Sequence, residues 1–124
     1  MSCVKENTPV VPLNDAVDGG ATQQQMGNFI NGPYGSVSGS AKVFQQNSGY
    51  ILSLQNVSIS NGPDLHVYIS KEIFPANFID LGSLKSTIGN QVYAIPGNPD
   101  FTQYKYALIH CKRYDHLFGS AELQ

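Results

Sequence analysis

The chain has 124 residues, with seven Lys and Arg against nine Asp and Glu and a formal net charge of −2. That length holds one domain, and the balance offers no excess of cations to neutralise a phosphate backbone, so nucleic acid is not an expected partner. Charged residues make up only 13%, while Gly numbers 12 and Pro seven, a mixture that suits short strands joined by turns better than long helices.

Residues 1–26 read as a polar tether. Thr8-Pro9-Val10-Val11-Pro12, then Asn14-Asp15-Ala16-Val17-Asp18-Gly19-Gly20 and Gln23-Gln24-Gln25, carry little apolar content and no sustained period, too little to offset the entropy of ordering them. The opening Met1-Ser2-Cys3 resembles the mature end of a bacterial lipoprotein. That resemblance implies lipid on Cys3, a location at the bacterial cell envelope and contact with the membrane through the anchor alone. The other reading of Cys3 is an ordinary N-terminal thiol. No apolar run approaches the roughly 20 residues that cross a bilayer as a helix.

Residues 27–124 read as the folded domain. A short apolar piece at 27–31 stops at Gly32-Pro33-Tyr34-Gly35, a turn signal. Strands are expected over 36–45 and 50–57, joined by Gln46-Asn47-Ser48-Gly49 as a hairpin. After Ser60-Asn61-Gly62-Pro63 comes the clearest alternation in the chain. Leu65, Val67 and Ile69 share one face, with His66, Tyr68 and Ser70 on the other. Further strands are expected at 78–82 and 90–95, with a single helical turn at 101–104. The run 104–111 is apolar on both faces, as in a central strand, with Lys105, Ala107, Ile109 and Cys111 on one side and Tyr104, Tyr106, Leu108 and His110 on the other. Residues 114–118 close the sheet. The expected fold is an all-β antiparallel sandwich or barrel.

Cys111 stands out chemically because Lys112 and Arg113 follow it. Cations near a thiol favour the thiolate, the form that attacks, oxidises or binds metal. The bland alternative is a small buried hydrophobe at a strand end. Cys111, His116 and an upstream His66 are spaced as in a blue-copper ligand set, but no Met follows His116 to supply the weak axial ligand. No GxSxG elbow supports a hydrolase, and Asp64 after Gly62-Pro63 reads as a turn-fixing residue.

Three blocks, Asn61-Gly62-Pro63-Asp64-Leu65-His66-Val67-Tyr68-Ile69-Ser70, Leu81-Gly82-Ser83-Leu84-Lys85 leading to Gln91-Val92-Tyr93-Ala94-Ile95-Pro96, and Cys111-Lys112-Arg113-Tyr114 with Phe118-Gly119-Ser120-Ala121, together resemble the electron transfer DM-thirteen domain family. The resemblance implies a β-sandwich related to haem-binding DOMON domains, and a surface role in electron transfer through a cysteine that matches Cys111. It also implies Cys111 as redox thiol or as ligand of a noncovalent haem; His66 stands beside it as a weaker cofactor-binding candidate read from the residues alone. The partner would be a redox protein or a surface ligand. A Trp is expected before the family cysteine, where this chain has His110. The competing class is a noncatalytic sandwich that binds a protein, glycan or small ligand, with Cys111 structural.

Overall fold

A computed structural model of the chain describes residues 8–124. Its strands are β1 (Leu13–Asn14), β2 (Thr22–Asn31), β3 (Val37–Gln46), β4 (Gly49–Ile59), β5 (Leu65–Ser70), β6 (Phe78–Ser83), β7 (Ile88–Ile95), β8 (Tyr106–Cys111) and β9 (His116–Glu122). They form one curled sheet in the order β1-β7-β4-β3-β2-β9-β8-β5-β6. The protein is all-β, as its turn-rich composition implies. A single parallel pair, β1 with β7, departs from the antiparallel pattern. Among the described residues no helix is long and apolar enough to cross a membrane. The helical turn expected near residue 101 is one hydrogen-bonded turn, with the N–H of Gln103 and of Tyr104 donating to the Asp100 carbonyl.

The sheet folds over at β2. Its first part, Thr22 to Asn28, pairs with β3, and its last residues, Phe29 to Asn31, pair with β9. Gly27 lies in this strand because a Cβ there would come 2.1 Å from the Glu122 carbonyl oxygen. Folding the sheet brings Val43, Leu52, Leu54, Tyr93 and Ile95 from one half against Leu65, Val67, Ile69, Ala107, Ile109 and Cys111 from the other. Each fully buried aliphatic side chain contributes about 1.5–3 kcal/mol relative to exposure. The second half is also covered on its far side. There Tyr68, Leu108 and Leu117 form a separate cluster with Ile73 and Tyr106 against it, so β8 is apolar on both faces.

The boundary expected after Met26 falls inside β2, and the described part of the expected tether, from Thr8 onward, is laid on the sheet. The Pro9 carbonyl accepts from the Thr87 N–H (3.0 Å), the Val11 carbonyl from the Ser86 hydroxyl (2.6 Å), and Leu13 and Asn14 pair with Gly89 and Asn90. Backbone groups rather than apolar side chains hold this segment, which is why its composition misleads. The first seven residues, Cys3 among them, lie outside the described residues. Gly89 admits β1, since its φ is +107° and a Cβ would come 2.0 Å from the Leu13 carbonyl oxygen. Gly89→Ala should therefore cost roughly 1–3 kcal/mol and speed exchange of the Asp15 amide, which donates to Asn90. Urea unfolding with amide exchange checks both, and an unchanged Asp15 amide counts against this role.

Candidate functional site

Cys111 ends β8 with 1% of its surface exposed, and it is the only cysteine among the described residues. Alternation turns it into the main core, and the register sets it between Leu65 of β5 and His116 of β9. Its thiol donates to the Pro63 carbonyl, with Sγ and O 3.0 Å apart, a bond that a neutral thiol makes and a thiolate cannot. The turn that carries Pro63 is fixed on every side. Asp64 sits at φ +56° with its carbonyl accepting from the Lys112 N–H, and a Cβ on Gly62 would come 2.6 Å from the Phe118 ring. The Asn61 side chain accepts from the N–H groups of Thr8 and Gly62 and donates to the Thr8 carbonyl.

The opposite face of the same strands is charged and aromatic. His66 pairs across β5 and β8 with His110, and its ring lies between two carboxylates, Nδ1 2.9 Å from Asp80 Oδ1 and Nε2 3.1 Å from Asp64 Oδ1. The Lys112 ammonium is 3.5 Å from the other Asp80 oxygen. Burial raises the Asp80 carboxyl, but hydrogen bonds from His66 and the Gly82 N–H, with the charges of His66 and Lys112, outweigh it and hold the carboxyl below its ordinary value. Beside this cluster Tyr68 is stacked between Phe78 and His110, at 4.3 and 5.3 Å between ring centroids. Burial first, then the negative charges of Asp80, Asp64 and Asp115, push the Tyr68 phenol up to about 12. His110 bonds the Asp115 carboxylate through Nε2 at 2.8 Å, and its buried Nδ1 has no protein partner.

The family model for the electron transfer DM13 domain matches residues 28–123. The chain belongs to the electron transfer DM13 family. No curated protein and no solved structure matches it. Membership supports an electron-transfer role in coarse terms.

In this DM13 domain the residues singled out from sequence do not all converge. His66 lies beside Leu65, the cross-strand partner of Cys111, so its side chain leaves the sheet on the face opposite the thiol. His116 does lie opposite Cys111 in register, but its ring stacks on Tyr34 at 3.7 Å with 3° between planes. Among the described residues no three His, Cys, Asp or Glu side chains are placed to hold a metal ion. The copper set of Cys111, His116 and His66 is thereby corrected. A haem ligated by Cys111 does not fit either, because the sulfur is engaged by Pro63 and belongs to the core cluster with Leu65, Ile109 and Phe118. Grooves of about 460 Å³ beside Met26, Ile30 and Ser120 and of about 480 Å³ beside Lys71, Phe74 and Lys105 open elsewhere. Lys112 directs its charge to Asp80 rather than to the thiol, and Arg113 lies in the exposed turn after β8.

Sequence reading missed the grouping of Asp64, His66, Asp80 and Lys112. Asp64 reads from sequence as a turn-fixing residue; it sits in that turn at φ +56°, and its carboxylate holds His66. Asp80 is on β6, and only the β5–β6 pairing, interrupted by a register shift between His66 and Tyr68, brings it to His66. The partner of His110, Asp115 five residues on, is likewise supplied by the turn between β8 and β9.

These shifts fix two pH limbs. Asp80 has a lowered folded value, so its contribution is present above the unfolded carboxylate range and lost as pH falls through the folded value. Urea midpoints should fall on acidification below about pH 4, with a shallower fall in Asp80→Asn. Tyr68 and Tyr93, the latter raised mainly by burial, both stand at about 12 against 10.0 when free. Their contribution is present below pH 10 and lost as pH rises toward 12, because the unfolded chain ionises first. Phenolate absorbance should lag the unfolded control over that interval, and coincident titrations would contradict the assignment.

Proposed function

We propose that this domain is a thiol-based electron-transfer module of the bacterial cell envelope, with Cys111 as its redox group. The observation that carries the reading is the coincidence of family and position. The one cysteine among the described residues lies in a domain of the electron-transfer family, at the end of a strand, with its thiol bonded to the Pro63 carbonyl of the turn before β5. The step is thiol–disulfide exchange with a partner disulfide. Cys111 gives up its proton, its sulfur forms a bond to one partner sulfur, and the partner S–S bond breaks. The second partner sulfur leaves with the electron pair and takes a proton, so Cys111 is oxidised and the partner reduced. Membrane attachment through lipid on Cys3 belongs to the same proposal, supported by the small Ser2 before it.

A second reading has its own support. A thiol 1% exposed and hydrogen-bonded to Pro63 is also what a structural core cysteine looks like, and the domain would then be a noncatalytic binding module. The two are separated by offering oxidised glutathione to the native chain carrying Cys3→Ser. Redox function predicts one glutathionyl group on Cys111, removed by reductant and absent in Cys111→Ser, whose hydroxyl retains the bond to Pro63. A Cys111 that is modified only after denaturation would falsify the thiol proposal in favour of the binding module.

A further inference from the structure

We infer that the segment from Thr8 to Asp15 is a strap that locks the cover of Cys111, so that undocking its N-terminal end exposes the thiol. The inference concerns access to Cys111 and rests on the redox reading only for its biological meaning. Four contacts in series make the connection. Thr8 is buried, and its N–H and carbonyl are both held by the Asn61 side chain, at 3.0 and 2.8 Å. The same Asn61 oxygen accepts from the Gly62 N–H at 2.8 Å, which fixes the start of the turn. Gly62 is pressed against the Phe118 ring, and Pro63, next in the chain, takes the hydrogen bond of the thiol.

The remainder of the strap is held independently of this turn. The Pro9 and Val11 carbonyls are bound by Thr87 and Ser86, and β1 pairs with β7. Chain order then decides which contact is loaded first. Any pull from the N-terminal side reaches Thr8 before Pro9, Val11 or β1, and Thr8 is the one strap residue bonded to the cover of Cys111. The Asn61 clamp can open while the other strap contacts, and the core beneath, stay formed. Local opening of this kind has a lower free energy than global unfolding.

Asn61→Ala removes both bonds to Thr8 and the bond to Gly62 without touching the core. In the full chain carrying Cys3→Ser, native alkylation of Cys111 by iodoacetamide should accelerate roughly ten- to a hundredfold, at a rate that stays nearly independent of urea well below the unfolding midpoint, as local opening requires. Asn61→Asp keeps an acceptor for the Thr8 and Gly62 amides but loses the donor to the Thr8 carbonyl, and should fall between. An unchanged alkylation rate in both variants, or a rate that climbs with urea along the global unfolding curve, overturns the strap. Faster alkylation with no glutathionylation of native Cys111 supports the strap and removes the redox reading, so the two fail separately.

Discussion

Alternation along β8, a strand packed on both faces, is the constraint on which the rest of the molecule depends. Ala107, Ile109 and Cys111 go to the main core while Leu108 and His110 go to the opposite face. Either set could be solvated in an ordinary two-layer sandwich. Here both are covered, and a one-residue slip would exchange an apolar face for a histidine and its carboxylate partner. The thiol and the charged cluster are therefore held back to back across one layer of backbone. They share a strand without sharing a site.

The charged face follows from the same geometry. His66 and His110 are cross-strand neighbours, and each is held by carboxylates at turns or edges: Asp64 before β5, Asp80 on β6 and Asp115 between β8 and β9. Asp64 and Asp115 have φ near +55°, a conformation that Asp tolerates better than most residues. Lys112 completes the arrangement at Asp80. The cation that adjacency suggests for Cys111 is thereby drawn to an acid on the other side of the sheet.

The N-terminal segment changes the status of the thiol. Laid along β7 by backbone hydrogen bonds, it ends at Asn61, two residues from the Pro63 carbonyl. A stretch docked by its backbone groups, with Val10 and Val11 left exposed, thus acts on the turn bonded to the most chemically distinctive residue in the domain. The turn is tight because Gly62 allows Phe118 to pack directly against backbone.

Period-two patterning and turn chemistry determined the strands of the domain from β3 onward, but not β1 or the start of β2. Leu65 to Ser70, the two-sided run ending at Cys111 and the hairpin of β3 and β4 are legible because a strand needs only local alternation and a turn needs only local residues. The same alternation separates the faces of Cys111 and His110. The family blocks were legible for a similar reason, being contiguous in sequence. What only the tertiary structure decided is every relation between distant segments: β2 crossing from one half of the sheet to the other, residues 8–14 docking on β7, Asp80 meeting His66, and the Pro63 carbonyl taking the Cys111 thiol. These depend on strand order, on backbone groups that every sequence carries alike and on side chains far apart in the chain, such as His66 with Asp80 and Asn61 with Thr8, so local side-chain pattern holds no record of them.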